Sequence, residues 1–217
     1  PEATCYFYSR IIELTPITEE QDHIRTIIDS NPKIPDRTEA ILESGEDPVP
    51  LLIETAENLE RAGADLITIP CNTAHFYYKK INNSVSIPVI NMISSTIDYI
   101  YENYSDHKIG LLATSGTIDT GLYEKTASRR DINLIYPEKP TQEIVMDIIY
   151  KTKVKEDDES TRRLLEVIEK LKKKGAGVII AGCTEISMIL SSVESSISAV
   201  DPLDIMAEEA IKMIKDS

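Results

Sequence analysis

ENLERAGADLITIPCNT, residues 57–73, and EKLKKKGAGVIIAGCT, residues 169–184, are two settings of one pattern. Each runs from a charged, leucine-bearing helix end into Gly-Ala, crosses a short apolar stretch and reaches a cysteine. Cys71 stands eight residues after Gly63, and Cys183 eight after Gly175. Threonine follows within two residues, as Thr73 and Thr184. The register holds further on, where SIPVIN (86–91) matches SISAVD (196–201), each ahead of a long amphipathic helix. A Gly-Ala pair recurs by chance, but a thiol and a later strand falling into the same register argue for duplication. The chain therefore reads as two copies of one βα design, each presenting a thiol at the same structural place.

Outward from the repeat, apolar residues recur at three- and four-residue steps over 49–61, 94–103, 141–150, 159–174 and 203–215, which predicts helices. Between them lie short runs of continuous apolarity at 65–69, 89–90, 108–113, 132–136, 178–181 and 199–200. Such runs fit parallel strands covered on both faces, so the class is α/β. Residues 30–50 fit neither template: four prolines among polar residues predict an extended, functional loop. Residues 1–14 read as a turn feeding a helix with no strand before it, an opening expected inside a first βα loop. The matched strand ends at Asn91 and Asp201 predict one domain of residues 1–91 plus 201–217 and a second of 92–200, the closing helix returning to the first.

Composition narrows the function. At 217 residues, with 41% hydrophobic and 28% charged residues, the chain can bury a real core and is neither fibrous nor disordered. A net charge of -14 repels phosphate backbones and anionic headgroups, which argues against nucleic acid and membrane surfaces as partners. No apolar run is long enough for a bilayer, and the first residues lack the layout of a signal peptide, so a cytoplasmic protein is expected. Three widely spaced cysteines, Cys5, Cys71 and Cys183, make no disulfide framework and point to free thiols.

In parallel α/β sheets ligands sit beyond the carboxyl ends of strands, where loops enter helix N-termini. Cys71 and Cys183 are both expected there, where free N–H groups and the helix dipole favour a thiolate. Thiols flanking one cleft from opposite sides suit racemisation: one takes a proton from a carbon while the other delivers one to the opposite face. A lone cysteine at a strand end is more often a small buried hydrophobe, which is the reading for Cys5. No Cys-x-x-Cys occurs and His75 is a single partner near Cys71, so no metal site is expected. His75 itself is expected to line the cleft or pack under it, and His23 and His107 to sit in loops or at strand edges. Residues 114–117, TSGT, lack the glycines and lysine of a phosphate loop, yet their hydroxyls and N–H groups suit a carboxylate. The lysines of 170–174 read as a solvated helix end.

The segments IPCNTAH (69–75), LATSGT (112–117), PDRT (35–38) and AGCTE (181–185) together resemble the aspartate racemase branch of the aspartate/glutamate racemase family, over essentially the whole chain. PDRT and the Glu185 that follows Cys-Thr resemble that branch in particular, since glutamate racemases usually carry His at that place. The resemblance implies two pseudo-symmetric, doubly wound parallel-sheet domains with the active site in the cleft between them. It implies a cofactor-independent homodimer acting on a small substrate, aspartate first and glutamate second. Cys71 and Cys183 would be the acid/base pair. Asn72, Thr73 and Thr184, with help from Thr114, Ser115 and Thr117, would hold the α-amino and α-carboxylate groups, and Arg37, oriented by Asp36, a carboxylate. A family lysine maps to Lys153 ahead of Lys155, and Glu185 belongs to the same substrate-binding set. The family opens with a strand and a Gly-Gly-Met-Gly turn before Pro-x-Ala-Thr, whereas this sequence opens at Pro1-Glu2-Ala3-Thr4. From other classes, a related acid isomerase, an amino-acid-binding module and a thiol redox sensor compete with this reading.

Overall fold

The computed structural model describes residues 1–154 and 158–216. Among them a four-stranded parallel sheet has the order β2-β1-β3-β4, formed by β1 Lys108–Ala113, β2 Leu134–Ile135, β3 Ala176–Gly182 and β4 Ser198–Val200. Side chains alternate across it. Leu112, Ile179 and Ala181 enter one core with Ile148, Ile149, Leu164 and Ile168, which come from α8 Lys139–Thr152 and α9 Asp158–Lys173. Ile109, Leu111, Val178 and Ile180 enter the other with Ile97 and Ile100 of α5 Met92–Tyr104. Burial on both faces is why these strands read as unbroken apolar runs.

Before the sheet come α1 Glu2–Leu14, α2 Arg37–Leu42, α3 Val49–Arg61 and α4 Tyr78–Asn82. Short helices α6 Ser115–Asp119 and α7 Glu124–Ala127 follow β1, α10 Thr184–Ser191 follows β3, and α11 Pro202–Lys215 closes the described chain. Helix α11 packs on α1 through Phe7, Ile11, Leu203, Met206 and Ala207.

The repeat has a backbone basis. Helices α3 and α9 both run into a glycine with positive φ, +89° at Gly63 and +97° at Gly175. Only glycine adopts that left-handed turn without strain, and it ends the helix so that the next residues can run extended. The matched Asn91 and Asp201 are both N-caps, Asn91 accepting from the Ser94 N–H at 3.1 Å and Asp201 from the Leu203 N–H at 2.9 Å.

Two expectations need correction. Residues 65–69 and 89–90 build no ladder: one parallel bridge, Ile67 to Val89, holds them. Pro70 and Pro88 flank that bridge and lack the N–H a longer ladder would need. Residues 30–50 are not extended throughout, because Arg37–Leu42 is helical. Asp36 starts that helix, its Oδ1 accepting from the N–H groups of Thr38 and Glu39 at 2.8 and 3.2 Å.

Asp201 carries a consequence for stability. Its buried carboxylate also accepts from Ser187 Oγ at 2.7 Å and Tyr6 Oη at 3.1 Å, yet burial raises its pKa to about 6. The folded carboxyl thus binds its proton more tightly than an unfolded aspartate with a pKa near ~3.9, so stability falls as pH rises from about 4 to 6, by up to roughly 3 kcal/mol. Asp201→Asn keeps a capping oxygen, as Asn91 does in the matched position, and removes the charge. Thermal melts should show this variant above the wild type at pH 7, with the gap closing toward pH 4. A lower melting point at pH 7 would mean that the carboxylate's hydrogen bonds outweigh its burial.

Candidate active site

The extended segment after α3 and strand β3 deliver Cys71 and Cys183 to one cavity of about 650 Å³. Cys71 sits in a tight turn, its N–H donating to the Ile69 carbonyl at 2.7 Å, and a 3₁₀ turn, Thr73–Tyr77, follows it. Cys183 is 7% exposed and caps α10 through its carbonyl, which accepts from the N–H groups of Ile186 and Ser187. Thr184 Oγ1 donates across to the Pro70 carbonyl at 3.1 Å, so the two thiol-bearing turns are tied directly to each other.

The cavity wall takes Arg37, Asn72 and Thr73 from before the sheet, and Thr114, Lys153, Thr184 and Glu185 from the sheet's own loops and helices. Ser115 and Thr117 are not on the wall. Thr117 is buried beneath it, and its hydroxyl closes a ring with those of Thr73 (3.0 Å) and Thr114 (3.1 Å), themselves 2.9 Å apart. It therefore positions two hydroxyls that are on the wall. Ser115 instead meets Gln142, whose Nε2 lies 3.4 Å from its Oγ. Lys155 lies outside the described residues.

Charge is laid out unequally around the two sulfurs. Cys183 Sγ donates to Glu185 Oε2 at 2.9 Å, and burial first, then the Glu185 carboxylate, push this thiol well up, so it holds its proton. On the Cys71 side stands Arg37. Its Nη1 donates to the carbonyls of Ile34 (3.3 Å) and Pro35 (3.0 Å), and it also bonds Cys71, whose charge is the main cause holding the guanidinium above its ordinary value. The expected orientation of Arg37 by Asp36 takes another form. Asp36 uses Oδ1 to cap α2 and Oδ2 to accept from Lys153 Nζ at 3.0 Å, so that it fixes Arg37 through the helix start. Burial pulls the Lys153 ammonium down, but the Asp36 bond and charge, with Glu185 and Cys183 beyond, leave it raised and charged. Two cations and two thiols around one cavity are equipment for gripping an acid and moving a proton.

The sequence model of the Asp/Glu/Hydantoin racemase family matches residues 1–210. The chain belongs to that family. Membership makes it an amino-acid racemase, an isomerase, and independence from pyridoxal phosphate fits the family. The crystallised aspartate racemase of Picrophilus torridus superposes with a TM-score of 0.87 at 29% identity, over 98% of this chain and 90% of that one. An aspartate racemase homologue from Pyrococcus horikoshii, at 24% identity and a TM-score of 0.78, shares the fold over 99% of this chain and 95% of its own. The broad specificity amino-acid racemase RacX of Bacillus subtilis is 28% identical over 160 residues, 74% of this chain and 69% of RacX.

Two buried side chains brace the Cys71 segment, the first in the packed-under position expected of it. His75 does not reach the cavity. It is buried, its Nε2 accepts from the Met92 N–H at 3.1 Å, and this leaves Nδ1 to donate to the Cys71 carbonyl at 2.9 Å. Both ring nitrogens serve the main chain, and burial lowers the imidazole pKa to about 4. A neutral His75 thus ties the Cys71 turn to the start of α5, a role its place four residues after Cys71 only hints at. Tyr123 is the other: its hydroxyl donates to Asn72 Oδ1 at 2.5 Å from fifty-one residues away, with no sequence signal to mark it. Among the described residues no group of three or more His, Cys, Asp or Glu side chains is placed to hold a metal ion, and no helix is long and apolar enough to cross a membrane.

Proposed function

We propose that this racemase interconverts L- and D-aspartate, using Cys71 and Cys183 as the two proton carriers. The observation that carries the reading is that both cysteines border one cavity, with Arg37 beside the first and Glu185 beside the second. In the cycle, Cys71 as thiolate takes the α-proton of the enantiomer that turns its C–H bond toward it, forming S–H. The electron pair left on the α-carbon spreads into the α-carboxylate. Cys183 then gives its proton to the opposite face and is left as the thiolate, ready for the reverse passage. Asn72, Thr73 and Thr184 hold the α-substituents, and Arg37 with Lys153 pairs the side-chain carboxylate.

The same reading keeps residues 1–91 with 201–217 as one domain and 92–200 as the other, supported by the packing of α11 on α1. It also keeps a homodimer, by resemblance, and a cytoplasmic place, from the three widely spaced cysteines. Glutamate is the second candidate substrate, since a cavity of about 650 Å³ has room for one more methylene.

The test is proton exchange. L-Aspartate incubated in deuterium oxide, with no added cofactor, should lose its α-proton signal and yield D-aspartate deuterated at the α-carbon. Retention of the α-proton would make the chain a binder and end the racemase proposal for aspartate. The ratio of racemisation rates for aspartate and glutamate ranks the two substrates.

A further inference from the structure

Tyr123 stands immediately before α7, is 1% exposed and does not line the cavity. Its hydroxyl donates to Oδ1 of Asn72, the residue after Cys71, at 2.5 Å. Asn72 is 3% exposed and borders the cavity, and its other amide atom, Nδ2, has no hydrogen-bond partner among the described residues. These facts belong together. A carboxamide has an accepting end and a donating end, and a donor that pins the oxygen fixes which end is left over. Burial keeps the Tyr123 phenol protonated throughout the neutral range, so it remains a donor. A buried N–H left without an acceptor is costly, and natural sites keep such groups for a ligand.

We infer that Tyr123 is a positioning residue that sets the Asn72 amide so that Nδ2 donates to the substrate's α-carboxylate. This rests on the racemase reading for the identity of the ligand, while the bond itself does not.

Tyr123→Phe removes one oxygen and keeps the ring. A hydrogen bond to a charged group is worth about 1.5–3 kcal/mol, so KM for aspartate should rise roughly tenfold or more, and kcat should fall with it because the α-carboxylate gains charge as the proton leaves. Asn72→Ala should raise KM to a similar degree, and adding Tyr123→Phe to it should change nothing further, because both act through one bond. An unchanged KM in Tyr123→Phe, or effects that multiply in the double variant, would overturn the proposal. A second measurement needs no substrate. The Asn72 side-chain amide signals, recognised by nitrogen-15 NMR through their absence in Asn72→Ala, should shift in Tyr123→Phe. Signals that do not move overturn the positioning bond. If they move while wild-type protein exchanges no α-proton of aspartate, the racemase reading falls and the bond stands.

Discussion

Cys71→Ala and Cys183→Ala should each lose racemisation of aspartate by about 10³-fold or more, since a positioned proton carrier contributes typically 10²–10⁴-fold and the cycle needs two. The fold should survive. Cys71 is half-buried, and Cys183, though it packs with Ile186 and Ile189, becomes a residue only one sulfur smaller. The two variants should also differ in a way that a general loss of structure cannot imitate. With Cys183 replaced, Cys71 can still take the α-proton from the enantiomer facing it and return a solvent deuteron to the same side. That variant should exchange the α-hydrogen of one enantiomer without inverting it, and Cys71→Ala should do so only for the other. Cys5→Ala should leave the rate unchanged, for Cys5 lies exposed on α1 and does not line the cavity. Racemisation at the wild-type rate in either cavity variant would end the two-base mechanism.

The parts of this molecule that the sequence discloses are those whose cause is local or periodic. Gly63 and Gly175 mark their turns because a backbone φ near +90° favours glycine, and β1 and β3 show as apolar runs because both of their faces are covered. The helix at Arg37–Leu42 is hidden by the prolines around it, although Asp36 followed by Glu39 is the ordinary mark of a helix start. Proline-bounded segments at 65–69 and 89–90 have strand composition but only one bridge, since composition does not count N–H groups. The cysteine pair is legible through the repeat. What surrounds it is less so: Lys153 reaches Asp36 across 117 positions and Tyr123 reaches Asn72 across fifty-one, contacts that only the packed chain creates. Thr117 shows the same limit from the other side, its motif pointing to the substrate and its hydroxyl serving Thr73 and Thr114.

Arg37→Lys should reduce kcat/KM for aspartate by about 10²-fold, and the division of that loss between the two constants will say what the guanidinium does. A substrate side-chain carboxylate entering the cavity leaves water, and a buried charge without its partner costs about 3–5 kcal/mol. Arg37 is built to prevent this: Nη1 is committed to the carbonyls of Ile34 and Pro35, which anchors the planar group and leaves its other N–H groups to be shared between Cys71 and an anion. Lysine keeps the charge but has one nitrogen for all these tasks. It cannot bond two carbonyls and still present two parallel donors to a carboxylate. If gripping the side-chain carboxylate is the main task, KM rises and kcat holds, with Lys153 left as the remaining cation, locked to Asp36. Arg37 also bonds Cys71, so a variant that binds aspartate normally and turns over slowly would place the arginine with the proton-moving thiol instead. Unchanged turnover and unchanged affinity together would leave Arg37 with neither task and remove the main anchor for a dicarboxylate substrate.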